Sequence, residues 1–407
     1  MSSCSIFEKH FSRRVIETHR PGKGKGLGQD SESVGLHWGF PFPESFPTED
    51  LAEAARQALR EDGQWACQYG GGEKTRLLTD LIRGRLKDRG LRMEDRDLVV
   101  TNGASQALDM VGSVFLDPGD LVLVEAPTFL GALYTLGSHL VQYMSVDMGP
   151  DGPGLDQLEA DLAGRRAEGR ELPKLMYTIP NFHNPTGVTA PVESRQRLLD
   201  LARAYDFLVV EDDAYGELYF AEQPPSTVQE LDSEGRVIYV GTLSKIIAPG
   251  IRIGWTLAPS AASEQLARLK GDGATNPFMQ STVAQYWDSG DLDRRVRWLR
   301  DQYRERWQAL DGALSEHMPD GISWSRPGGG FFVWVTLPEG YSAKRVAQEA
   351  GRRGVTVLPG DPFFPPNSVR PALRLSFSFC PPEELRKGVK ILSGVLSDLA
   401  SGAQIQV

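Results

Sequence analysis

Apolar positions along the chain follow two rhythms. In LAEAARQALRE (51–61) and RLLTDLIRGRLKDRG (76–90) they recur three and four residues apart, the spacing that lays one apolar stripe along a helix. From about residue 98 the rhythm changes to short runs that are apolar throughout: LVV (98–100), LVLVE (121–125), LMYTIP (175–180), FLVVEDD (207–213) and VIYVGTLS (237–244). A strand with one wet face alternates, whereas a strand covered on both faces does not. Helical or turn-rich stretches long enough for crossovers separate these runs. The pattern therefore predicts an α/β fold, a mainly parallel sheet of seven-stranded type flanked by helices.

After about residue 285 the order changes again. A charged helix over 290–317 leads into ISWSRPGGGFFVWVTLP, the helix SAKRVAQEAGRRG, the strands VTVLPG and ALRLSFSF, and a last helix from PPEELRKGV to SDLA. That succession predicts a smaller α+β unit packed on the first. The expected division is an N-terminal arm and small-domain segment (1–49), a large domain (50–285) and a C-terminal small domain (286–407).

Composition narrows the function classes. Acidic residues outnumber basic ones 54 to 44, a formal charge of −10, which argues against a surface built to neutralise nucleic-acid phosphates. Cys4, Cys67 and Cys380 are scattered and odd in number with no metal-ligand spacing, so neither a disulfide framework nor a metal site is expected. No run approaches the roughly 20 apolar residues of a membrane span, and MSSCSIFEKHFSRR lacks a signal-peptide core. A cytoplasmic protein is expected. The segment RPGKGKGLGQDSES (20–33) reads as a mobile loop, without the GK[ST] ending or preceding strand of a phosphate loop.

Ligands of such sheets collect beyond the carboxyl ends of the strands, so the polar residues that end the apolar runs are the candidates. TNGASQALDM (101–110) is a strand, a glycine turn and a helix start, where unpaired N–H groups of Ala104 and Ser105 can seat an anion or simply be capped. Asn184 in NFHNPTG is either a plain turn residue or an amide aimed at a ligand oxygen. EDDAYGEL ends a buried strand in three carboxylates, at least one of which needs a partner, with Tyr215 three residues after Asp212. GTLSK ends the next run with Thr242, Ser244 and Lys245, and a desolvated lysine is a nucleophilic amine that condenses with aldehydes. Arg252, among isoleucines and glycines, is a fixed charge suited to a phosphate. An anion seat, an amide, an acid, a phenol, an amine and a guanidinium together meet the needs of pyridoxal 5'-phosphate.

With those residues on the page, the chain resembles the fold-type I pyridoxal-phosphate aminotransferases, the aminoadipate and kynurenine branch in particular. NPTG, EDDAY, TLSK with Arg252, LDPGD (116–120), EAPTF (125–129) and RLSFS (374–378) occur in the family order. The resemblance implies that Lys245 bonds the cofactor aldehyde and later moves the proton at the substrate Cα. It implies that Asp212 pairs with the ring nitrogen, that Asn184 and Tyr215 hydrogen-bond the phenolic oxygen, and that Phe129 stacks on the ring. The phosphate would rest on Ala104, Ser105, Thr242, Ser244 and Arg252. Arg374 would grip the substrate α-carboxylate beside Gly39 and Asn184. Tyr69 would reach the neighbouring subunit's phosphate site, which implies a homodimer with shared active sites.

Four departures from the family pattern surround the substrate rather than the cofactor: Phe129 where tyrosine is usual, His183 where glutamine is common, YGGGEKT after Tyr69, and the glycine-rich segment at 22–28 where the family often has a substrate-covering helix. The expected activity is amino-group transfer from an L-amino acid to a 2-oxo acid. The alternatives are a lyase or synthase performing β- or γ-elimination, replacement or cyclisation, S-adenosylmethionine being one conceivable substrate, and the ligand-binding domain of a regulator.

Overall fold

The computed structural model describes residues 7–17, 33–271, 274–365 and 368–400, so most of the glycine-rich segment lies outside the described residues. In chain order the strands are β1 (Val34–Gly35), β2 (Arg96–Thr101), β3 (Leu121–Ala126), β4 (Gln142–Gly149), β5 (Gly152–Pro153), β6 (Leu175–Thr178), β7 (Leu208–Asp212), β8 (Val237–Thr242) and β9 (Gly254–Pro259). They are followed by β10 (Ser323–Trp324), β11 (Phe332–Thr336), β12 (Val355–Thr356), β13 (Leu358–Pro359) and β14 (Ala372–Ser376).

Strands β2 to β9 form one eight-stranded sheet in the order β2-β9-β8-β7-β6-β3-β4-β5. From β8 through β4 neighbouring strands run parallel, while β9 is antiparallel to both β8 and β2 and β5 folds back on β4. The sheet is thus mainly parallel, with one strand more than expected because of the two-residue β5. Every residue of β3 and β8 is buried. Val122, Val124, Tyr177, Val210 and Ile238 share a cluster with Leu108 and Val111 of the helix Ala104–Phe115. Leu123, Met176, Val209 and Val237 face the other way, among leucines of the helices Leu155–Ala167 and Val192–Tyr205. Both faces of the period-two ladder are dry, which is why these strands carry no polar alternation.

The smaller sheet is antiparallel in the order β10-β11-β14-β13. Its Val333, Val335, Leu373 and Leu375 share one buried cluster with Leu310 and Leu314 of the helix Asp291–His317 and with Val389 and Leu392 of the helix Pro382–Ala400. The N-terminal β1 pairs in parallel with β12, Val34 opposite Val355. The chain then runs on beside β14, where Ser376 N–H donates to Leu36 O at 2.8 Å and Ser378 Oγ donates to Phe40 O at 2.7 Å.

Because β2 is antiparallel to β9, and β9 to β8, the ends of β2, β3, β6, β7 and β8 share one edge with the start of β9. The residues singled out at the strand ends therefore meet there. Among the described residues no helix is long and apolar enough to cross a membrane.

Candidate active site

A cavity of about 560 Å³ opens at that edge, between the large sheet and the small one. Gly39, Ala104, Ser105, Phe129, Asn184, Asp212, Tyr215, Thr242, Ser244, Lys245, Arg252 and Arg374 all line it. Of the candidates only Tyr69 stands apart, 90% exposed in the loop after the helix Thr48–Ala66.

The three carboxylates of EDDAY separate by strand alternation. Glu211 points to one face and accepts the N–H groups of Val228 and Gln229, both at 2.8 Å. Asp213 is buried against Arg89, 2.6 Å away, and also accepts from Asn181 and Tyr239. Burial opposes its charge, but the guanidinium and these donors more than compensate and hold its carboxyl below the ordinary range. Asp212 points to the opposite face, where Tyr177 OH donates to Oδ2 at 2.8 Å and Oδ1 is buried without a partner. Desolvation raises Asp212 to about 6, the tyrosine bond pulling it part of the way back. A buried carboxylate oxygen aimed into a cavity without a donor is a vacancy for a cation or N–H group.

Lys245 follows β8 and its Nζ donates to Gly39 O at 3.3 Å. Desolvation, then the positive charge of Arg374, outweigh Asp212 and lower its ammonium to about 8. Arg374, on β14, donates from Nη1 to Asn184 Oδ1 at 3.1 Å and from Nη2 to His37 O at 3.0 Å. Its Cζ sits 4.3 Å from the Phe332 ring and 4.9 Å from the Phe363 ring, and burial lowers the guanidinium to about 10. Arg374 Nε is buried without a partner. Gly39 is there because nothing larger fits: a Cβ would lie 2.9 Å from Phe332 Cζ. Tyr215 is buried edge-on to Phe331 and Phe332, and desolvation pushes its phenol up.

Backbone is packed closely at the start of the helix Ala104–Phe115. Gly103, at φ +81°, gives that helix no side-chain cap, so its first N–H groups are left for another acceptor. A Cβ on Gly254 would lie 2.6 Å from Gly103 C and 2.7 Å from Ala104 N. Ser244 N–H donates to Thr242 Oγ1 at 3.1 Å, and Arg252, in the left-handed region at φ +53°, donates to Asn102 O at 3.0 Å. Uncapped amides, two hydroxyls and a guanidinium make an anion seat.

Sequence reasoning missed Tyr177, which reads as one more core residue of LMYT, and the apolar wall formed by Trp38, Phe40, Leu130, Tyr134, Leu358 and Phe363. It also missed β4, half-buried near the sheet's margin, and β9, whose GWTLAP directly follows the polar turn at Arg252.

A poised lysine amine, an anion seat at a helix start and an orphaned buried carboxylate at the edge of such a sheet define a pyridoxal-phosphate enzyme. The chain belongs to the class I and II aminotransferases, whose family model matches residues 39–392. It is 38% identical over 397 residues to aromatic-amino-acid aminotransferase 1 of Thermococcus litoralis, covering 96% of this chain and 95% of that one. It is also 38% identical over 365 residues to 2-aminoadipate transaminase of Thermus thermophilus, covering 89% of each. The crystal structure of Pyrococcus horikoshii kynurenine aminotransferase superposes with a TM-score of 0.90 at 36% identity, covering 98% of this chain and 99% of that one. That structure is a complex with pyridoxamine phosphate. The protein is a pyridoxal-phosphate-dependent aminotransferase; amino-group transfer is borne out, and elimination or cyclisation is not favoured.

Proposed function

We propose that this aminotransferase takes L-amino acids with bulky apolar side chains, aromatic ones included, and passes the amino group to a 2-oxo acid. The observation that carries the reading is the cavity wall around Arg374, where Trp38 stacks on Phe40 at 5.3 Å and Leu130, Tyr134, Leu358 and Phe363 complete an apolar surround. A carboxylate held on Arg374 leaves the side chain among these rings, which reward apolar area and leave a second charge unpaired.

Bound pyridoxal phosphate supplies an aldehyde for condensation with amines and a ring that takes up the electron pair released at Cα. Lys245, its ammonium lowered to about 8, is the group that would bond the aldehyde and carry the Cα proton. Asp212, oriented by Tyr177, would hold the ring nitrogen on its free Oδ1 and keep it protonated. Tyr215 and Asn184 turn hydrogen-bonding groups to the phenolic oxygen, and Phe129 offers its ring to one face of the cofactor. Ala104 and Ser105 amides, the Thr242 and Ser244 hydroxyls and Arg252 hold the phosphate. Arg374, kept in place by Asn184 and His37 O, binds the α-carboxylate over Gly39.

A homodimer completes this reading. Trp65 and Tyr69 are 55% and 90% exposed at the end of one helix, an aromatic pair that a second copy would cover, bringing Tyr69 to that copy's phosphate seat. Sedimentation and an amino-acid panel test both parts. A dimer is expected, with kcat/KM for phenylalanine, tyrosine or leucine at least about tenfold above that for aspartate or lysine. A monomer with full activity, or a preference for aspartate or lysine, would overturn the corresponding part.

A further inference from the structure

Behind Asn184 lies a buried polar chain to which none of these roles has been given. His183 and Glu125 are 0% and 1% exposed. His183 Nδ1 accepts from Thr186 N–H at 3.4 Å and lies 2.8 Å from Thr186 Oγ1, which assigns the ring proton to Nε2. That nitrogen is 2.9 Å from Glu125 Oε2, a close polar contact whose angle falls outside hydrogen-bond geometry. Glu125 also accepts from Thr178 Oγ1 at 2.5 Å and from Ile179 N–H at 3.1 Å.

One carboxylate thereby joins three strand-end segments: the end of β3, four residues before Phe129; the end of β6; and the loop that carries Asn184. The His183 backbone is pinned as well, its N–H donating to Val188 O at 2.8 Å and its carbonyl accepting Gly187 N–H at 2.6 Å. The next residue is Asn184, whose Oδ1 accepts from Arg374. A buried acid costs desolvation, and apolar residues of equal volume would pack without that cost. What the acid adds is a single ring orientation and tautomer, and so a single position for the residue attached to it.

We propose that Glu125 and His183 are positioning residues for amino-group transfer: the pair fixes the NPTG loop so that Asn184 Oδ1 stays on Arg374, and through it sets the grip on the substrate carboxylate. The inference rests on the roles proposed above for Asn184 and Arg374.

Three variants test it: His183→Leu, which removes both ring nitrogens; His183→Gln, whose amide can still donate to Glu125; and Glu125→Leu, which keeps much of the volume but removes the acceptor that faces His183 Nε2–H and Ile179 N–H. Binding of 3-phenylpropionate, a carboxylate with no amine, is measured by calorimetry on the cofactor-loaded and the cofactor-free protein, alongside KM, kcat and melting temperature. Loss of this one positioning contact predicts roughly tenfold weaker 3-phenylpropionate binding and a KM raised in step in His183→Leu and Glu125→Leu, with kcat changed less. His183→Gln is expected within about threefold of the parent. Unchanged carboxylate affinity in His183→Leu and Glu125→Leu would overturn the proposal. So would a His183→Gln as weak as His183→Leu when both melt like the parent, since ring volume alone would then matter. If His183→Leu fails to fold, Glu125→Leu decides alone. A parent protein that transfers no amino group overturns the function itself, whereas an active parent with unaffected variants overturns only the positioning role.

Discussion

Capture of pyridoxal phosphate by the cofactor-free protein depends on how much of Lys245 is unprotonated. Its ammonium is lowered from 10.5 to about 8, first by desolvation and then by the charge of Arg374, against the opposing pull of Asp212. At pH 7 a group titrating at about 8 is about 9% neutral, and one at 10.5 is about 0.03% neutral, a difference of about 300-fold in reactive amine. The assay is the second-order rate at which the visible cofactor band grows when apoprotein and pyridoxal phosphate are mixed between pH 6.5 and 10, with a free lysine derivative as control. The rate should climb about tenfold per pH unit at the acid end and level off near pH 8. The control should still be climbing at pH 10. Arg374→Met removes a charge that disfavours the ammonium and should move the midpoint up. Asp212→Asn removes one that favours it and should move the midpoint down. A midpoint near 10.5, or two variants moving the same way, would refute the electrostatic account of this lysine.

Lys245→Ala should lose the lysine-linked visible band and, by spectrophotometry and product analysis, amino-group transfer altogether; retention of either removes the lysine from its role. Arg374→Lys should raise KM for an apolar amino acid by roughly ten- to a hundredfold in steady-state assays, because an ammonium cannot reproduce the planar fork, while cofactor titration of the apoprotein stays near the parent. Gly254→Ala should cost about 1–3 kcal/mol of cofactor binding, read by fluorescence titration, because the new Cβ meets Gly103 and Ala104 backbone; parent-like affinity would show that the anion seat tolerates displacement. Asp213→Ala leaves the Arg89 guanidinium unpaired and should lower stability to urea by about 3–5 kcal/mol. Since the folded Asp213 carboxyl lies below its ordinary value of 3.8, the parent should keep this contribution above that pH and lose it as the pH falls through the folded value, bringing parent and variant together.

How legible the molecule is from its sequence depends on whether a signal is local. LVLVE and VIYVGT reveal their burial by lacking polar alternation, and the residues that end them lie at the cavity because parallel strands present their carboxyl ends on one edge. The residue pattern of EDDAY does not by itself separate Asp212 from its acidic neighbours; the family resemblance does, and strand alternation with the partners Tyr177 and Arg89 shows why that carboxylate stays free. Glu125 and His183 lie in different motifs, and the contact between them has no linear signature. The same holds for β1, whose two residues pair with β12 far along the chain. Tyr69, exposed in this chain, joins the site only in the dimer proposed above.

That pairing also sets an order of events at the ribosome. The large sheet draws its strands from Arg96 to Pro259, so the cofactor's seat can form while the chain is still being made. The proposed substrate seat cannot: His37 O and Arg374, which meet at 3.0 Å, are 337 positions apart. Closing so long a loop awaits the end of synthesis, so a nascent chain acquires the means to hold pyridoxal phosphate before it acquires the means to use it.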